Sequence, residues 1–94
     1  MSHSPGLYTD PPTLLSALSG TTSQQSATLV LGTCYVLTGS TALCYSFGSN
    51  PTASGSTAIL PLGIALRFVG DGGKVACIHV DGSTAFKATI VSVA

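Results

Sequence analysis

Short apolar segments separated by turn-forming residues constrain the fold of this chain more than any other feature. From Ala27 onward, each apolar run is rich in β-branched or aromatic residues and soon ends at glycine, proline or a serine/threonine cluster. Runs this short predict β-strands rather than helices. The clearest turn signals are "TGST" at 38–41, "GDGG" at 70–73 and "DGS" at 81–83, the last being an Asp-Gly hairpin signal.

The strand predictions can be placed residue by residue. The segment 42–48 alternates, which puts Leu43, Tyr45 and Phe47 on one face of a strand. Pro61 cannot lie within a central strand, so it marks a sheet edge or a bend. The predicted strands are 28–37, 42–48, 57–60, 63–69, 74–80 and 84–94.

Closely spaced short strands predict an all-β domain over residues 27–94. Its expected architecture is a small antiparallel β-sandwich or barrel, jelly-roll-like in its connections. The core is expected to be thin, because a chain of this length buries only about 60% of its unfolded surface. Three phenylalanines, three tyrosines and no tryptophan supply little aromatic bulk. Oligomerisation is a common remedy for such a core.

Residues 1–26 differ from the rest and are predicted to form an extended N-terminal arm or linker. Pro5, Pro11 and Pro12 disfavour regular structure at its start, and "GTTSQQS" is typical of a linker. The segment 13–20 predicts a short helical turn, too short to be stable alone. Its apolar side chains must lie against the domain's own sheet or a neighbouring subunit, and they make the arm a candidate interaction segment: Tyr8, Leu14, Leu15 and Leu18.

The charge content excludes several classes of function. Only 6% of residues are charged, against roughly 25% in typical proteins, and the net charge is zero. Nucleic-acid binding and attraction to anionic lipid both need clustered cations, so neither partner is expected. The longest apolar run is broken by Pro61 and Gly63, so no membrane segment is predicted. A charge-poor surface favours self-association, and we expect a subunit of a larger assembly.

The cysteine content indicates synthesis in a reducing compartment. Cys34, Cys44 and Cys77 are odd in number, and no secretory signal is visible. The predicted turn about Gly39–Ser40 would place Cys34 and Cys44 almost directly across from each other on consecutive strands. A thiol pair is expected there, with a disulfide left open.

Candidate catalytic and metal-binding residues occur in one segment, "HVDGS" at 79–83. His79, Asp81 and Ser83 contain the residue types of a hydrolase triad, but a triad is assembled from separate elements. Cys77, His79 and Asp81 lie on one strand face but span about 13 Å, too far for one ion. We therefore predict no enzymatic activity, no cofactor and no metal site.

Four segments together resemble small virion proteins of tailed bacteriophages. They are "YSFGSNPTA" (45–53), "LPLG" (60–63), "LRFVGDGGKVACI" (66–78) and "DGSTAFKATIVSV" (81–93). The resemblance implies a β-sandwich that decorates or completes a particle without catalysis. The expected partners are the major capsid protein or other virion subunits. The chain would be made in the host cytoplasm and located on the capsid surface.

The loop of small residues at 48–57 fits this hypothesis, because an unpaired buried charge at a contact would be costly and the loop has no ionisable group. The candidate contact residues are Asn50, Pro51, Thr52 and Pro61. We therefore expect a capsid decoration or cement protein, with a homotrimer favoured. The alternative is a receptor-binding or tail/fibre module, in which loops 48–57 and 70–73 would contact a host glycan.

Overall fold

The computed structural model describes residues 13–93, and every regular element in this range is a β-strand. The predicted all-β class is therefore confirmed. The eight strands are β1 (Thr13–Gly20), β2 (Gln24–Gln25), β3 (Cys34–Gly39), β4 (Leu43–Gly48), β5 (Ala58–Leu60), β6 (Leu66–Val69), β7 (Lys74–His79) and β8 (Phe86–Val93).

The strands form two four-stranded antiparallel sheets. Sheet A has the order β1-β8-β3-β6, and sheet B has the order β2-β7-β4-β5. The first strand pairs with the last, the second with the seventh, the third with the sixth and the fourth with the fifth. The chain thus resembles one long hairpin whose successive strand pairs alternate between the sheets. This topology is a jelly roll, as the sequence predicted.

The hydrophobic core lies between the two sheets and follows from alternation along the strands. In β8, every second residue points inward, and Phe86, Ala88 and Ile90 are all buried. Strand β4 contributes Leu43 to the core, and the partly buried Tyr45 packs against it, which confirms that these residues share one face of the strand. The other buried members are Leu18, Leu29, Tyr35, Leu37, Leu60, Val75 and Cys77.

The helical turn predicted over residues 13–20 is wrong, because this segment is strand β1. It pairs with β8 along its length, with a register shift between Leu14 and Ser16. A helix this short is marginal in isolation, whereas the strand gains backbone hydrogen bonds to β8 and buries Leu18 in the core. The sandwich therefore includes residues 13–25, which the sequence had assigned to the arm.

The hairpin predicted at 81–83 is wrong in its partners. The turn is present, but it joins β7 in sheet B to β8 in sheet A, and these strands do not pair. The turn at residues 40–42 likewise joins β3 in sheet A to β4 in sheet B. Cys34 and Cys44 consequently lie on different sheets, so the predicted thiol pair is also wrong. Turn residues predict where the chain reverses direction. They do not predict whether the two strands joined by the turn pair with each other, because burial of the apolar faces determines which strands pair.

The first six residues of the strand predicted at 28–37 form a turn and loop instead. The amide of Thr33 donates to the carbonyl of Val30 (3.1 Å), and Gly32 has a positive φ of 83°. The loop is held by backbone hydrogen bonds to 70–73, among them Gly32 N–H to the Gly70 carbonyl (2.9 Å). Its apolar composition reflects the burial of Leu29 rather than strand pairing.

Candidate interaction surface

The outer face of sheet A carries a group of apolar side chains that no described residue covers. Cross-strand register places Cys34 between Val69 and Val93, and places Val91 between Leu14 and Val36. Leu14 and Val69 are 58% and 60% exposed. We call this surface the apolar face, and its members are Leu14, Cys34, Val36, Val69, Val91 and Val93.

The charges near the apolar face are few and of one sign. Arg67 pairs with Val36 across β3 and β6, and Lys87 lies on the same side of β8. The carboxylates among the described residues, Asp71 and Asp81, lie in connections and not on the strands of sheet A. Arg67 therefore borders the apolar face directly, whereas Lys87 is separated from Val91 by Thr89.

The centre of the outer face of sheet B, in contrast, is covered by the chain itself, and Ile59 on edge strand β5 is the apolar residue of this face that stays exposed, at 58%. The β4–β5 connection, residues 49–57, folds back so that Ala53 packs with Cys44, Ala76 and Ile78 in a second buried cluster. The Gln25 amide nitrogen donates to the Asn50 side-chain oxygen and to the Pro51 carbonyl, both at 2.8 Å. The small residues of this loop thus allow close approach to the chain's own sheet.

The predicted contact residues are distributed over several environments. Of the arm residues, Leu14 lies on the apolar face, Leu15 is half-buried against the core, and Leu18 is buried in it. Tyr8 lies outside the described residues. Of the loop residues, Pro51 is buried within the chain, whereas Asn50, Thr52 and Pro61 are exposed.

Most of the apolar face was missed by sequence reasoning. Val36, Val69, Val91 and Val93 carry no signal that distinguishes them from core valines. Only the alternation within each strand, once anchored by a known inward residue, could have assigned them to the outer face. Ile90 supplies that anchor for β8, because its neighbour Val91 must then point outward.

Two turn tips also expose apolar side chains. Leu31, at the tip of the turn before β3, is 76% exposed. Leu62 is 64% exposed in the turn after β5, where the amide of Ile64 donates to the carbonyl of Pro61 (3.2 Å). Pro61 directly follows edge strand β5, which confirms the predicted edge or bend.

Four aromatic rings form a continuous row across the two sheets. Tyr35 stacks on Phe68 with ring centroids 5.7 Å apart, Phe68 meets Phe47 at 5.0 Å, and Phe47 meets Tyr45 at 5.8 Å. Phe47 is 41% exposed, while the other three are buried or partly buried. This row acts mainly as packing between β3, β4 and β6.

The segment 79–84 is organised as a turn stabilised by Asp81. Its carboxylate accepts the backbone amides of Ser83 and Thr84, each at 2.8 Å, and the Thr84 hydroxyl. The Thr84 hydroxyl and these amides hold the pKa of Asp81 well below its usual range. Of the three residue types considered for a hydrolase triad, Asp81 therefore bonds the backbone amide of Ser83. His79 Nδ1 accepts a hydrogen bond from the backbone amide of Asp81 (3.1 Å). Among residues 13–93, no three histidine, cysteine or acidic side chains cluster as metal ligands.

The three cysteines differ sharply in accessibility. Cys34 is exposed on the apolar face, whereas Cys44 and Cys77 are buried, and none of them forms a disulfide among the described residues. Burial raises the pKa of the Cys77 thiol to about 12. We therefore expect N-ethylmaleimide to label one thiol in the native protein and three after unfolding, measured by intact mass.

The Cys34→Ser variant is the control for this labelling, and it should take up no label while folded. Two or more labels on the native wild-type chain would show that the buried thiols are accessible, contrary to this fold.

Comparisons with family models, curated proteins and solved structures find no significant match to this chain. Residues 13–93 include no helix that is long and apolar enough to cross a membrane. The fold and the site thus define a small jelly-roll domain with one outer face covered at its centre and one uncovered outer face.

Proposed function

We propose that this chain is a non-enzymatic structural protein of a phage virion, acting as a decoration or cement protein on the capsid surface. Its apolar face contacts the major capsid protein and stabilises the head. The supporting observation is the asymmetry of the sandwich, in which residues 49–57 cover the central apolar residues on the outer face of sheet B, while no described residue covers the apolar group on the outer face of sheet A.

The chemistry of the apolar face supports this role. Contiguous exposed apolar patches mark interaction sites on soluble proteins, and interface cores are depleted in charge. Leu14 and Val69 lie on this face more than half exposed, and their burial against a partner would be favourable. Arg67 at its border and Lys87 further along the same side of sheet A suit a shell surface with complementary carboxylates.

Lysine substitution on the outer face of sheet A tests the proposal. Val69→Lys places a charge in the apolar face at an exposed position, while Thr89→Lys adds the same charge on the polar part of the same sheet face. Empty heads would be assembled from the major capsid protein of the genome that encodes this chain. We expect wild type and Thr89→Lys to co-sediment with the heads and Val69→Lys to lose at least about tenfold in affinity, because the lysine must be desolvated.

Protection of Cys34 supplies an independent readout of the same contact. Its labelling by maleimide should slow when wild-type protein is bound to heads, because Cys34 lies beside Val69. Wild-type protein that ignores the heads would contradict the proposal. Binding to a glycan array in that case would instead support the receptor-binding or tail/fibre alternative.

A further inference from the structure

We propose that two copies of this chain pair through their β1 strands, antiparallel about a two-fold axis, so that sheet A continues from one copy into the other. The inference concerns the edges of the sheets rather than the apolar face. An edge strand presents unpaired backbone groups, and proteins normally protect such edges by short length, charge, proline or bulges.

The four sheet edges are protected very unequally. Edge strands β2 and β5 are two and three residues long, and β6 has four residues with Arg67 among them. The fourth edge, β1, is eight residues long, and its sequence "TLLSALSG" contains no charged residue and no proline. β1 is thus the one long, uncharged edge among the described strands.

The backbone of β1 forms strand-pairing hydrogen bonds along one of its two edges. Within residues 13–93, its backbone partners belong to β8, and no other strand pairs with it. The register shift at Leu15 interrupts the strand near its start, and residues 16–20 pair regularly with β8. Ala17 and Ser19 are exposed and small, so a neighbouring strand can approach this regular part closely.

A second copy fits this edge better than the other edges of the same sandwich do. Two β1 strands match each other in length and lack of charge, whereas β6 of a neighbour could pair over at most four residues. A two-fold axis perpendicular to the sheet makes the paired strands antiparallel and repeats each contact twice. It also keeps the outer faces of the two copies of sheet A on the same side of the dimer.

The size of the apolar face gives a reason for pairing, a step that rests on the proposed function. Four strands about 4.8 Å apart, with about 3.3 Å per residue, give the outer face of sheet A at most about 500 Å² in projection. A standard interface buries about 800 Å² of accessible surface on each partner, a quantity that exceeds the projected area of the same face, so a single outer face lies near or below the standard size. The dimer doubles the surface that rests on the shell. Pairing through one edge gives a dimer, in place of the trimer expected for the decoration or cement protein.

Hydrogen exchange on the wild-type protein, without heads or ligand, tests the pairing directly. Exchange would be followed by mass spectrometry in dilute and in concentrated solution, with light scattering to measure mass. We expect some amides of β1 to gain protection as the protein forms dimers, while the amides of edge strand β6 stay unchanged. Amides of β1 that are equally protected at every concentration would indicate that residues 1–12 cover this edge and would overturn the proposal.

A matched pair of lysine variants tests the same edge. Ala17 and Thr38 are both exposed, lie in one row of the outer face and flank Thr89, but only Ala17 is on the edge. We expect Ala17→Lys to weaken the dimer about tenfold, because the two lysines bring like charges close together at the shared edge, and Thr38→Lys to leave it unchanged. Equal effects of both variants, or a wild-type mass of one or three chains, would contradict the pairing. This result is independent of binding to heads, so it can fail while the proposed function stands.

Discussion

Replacing Tyr35 by alanine is expected to destabilise the fold by about 3–5 kcal/mol, as for other buried aromatic residues. The side chain is 2% exposed and packs in the core between the sheets. Its ring stacks on Phe68, and its hydroxyl accepts the backbone amide of Val30 at 2.9 Å. A small domain has a total stability of about 5–15 kcal/mol, so this loss would remove much of it. Urea denaturation followed by circular dichroism measures the change.

Tyr35→Phe is the matched control, because it keeps the ring and removes only the hydroxyl. We expect a loss of about 1 kcal/mol, corresponding to the hydrogen bond from the amide of Val30. The difference between the two variants isolates the packing of the ring. Equal losses in both would show that the hydrogen bond, and not core packing, makes Tyr35 important.

The class of the fold was predictable because local patterns determine it. In β4, the alternation assigned Leu43, Tyr45 and Phe47 to one face before any partner strand was known. Strand β1 was not predictable in the same way, since "TLLSALSG" has neither clear alternation nor β-branched residues apart from Thr13. Its strand conformation comes from pairing with β8, which lies at the opposite end of the chain.

The residues of the apolar face were even harder to predict from the sequence. Leu14 was identified as an interaction residue on general grounds, and the structure places it on the apolar face. The position of Val91 on that face depends on the burial of Ile90 beside it and on its pairing with Val36. The loop 49–57 shows the opposite case, because its bland composition suits contact with the chain's own sheet as well as with a partner. Composition alone does not distinguish these two uses.

Gly70→Ala is expected to cost about 3 kcal/mol or more, at the upper end of what overpacking causes. A Cβ atom on Gly70 would lie 2.2 Å from the carbonyl oxygen of Val30 and 2.9 Å from the Tyr35 ring. The backbone cannot move away easily, because Gly70 forms two backbone hydrogen bonds to the loop before β3. Its amide donates to the Thr33 carbonyl (2.8 Å), and its carbonyl accepts from the Gly32 amide (2.9 Å). The variant therefore disturbs both the loop and the core residue beneath it.

Gly72→Ala provides the control within the same connection. Gly72 has a positive φ of 90°, and a Cβ atom there would meet nothing within 4 Å. We expect only the conformational cost of a left-handed alanine, about 1 kcal/mol. Thermal unfolding of the two variants side by side measures the contrast. If Gly72→Ala lost as much stability as Gly70→Ala, the cost in this connection would come from backbone conformation rather than from the close approach of residues 30 and 70.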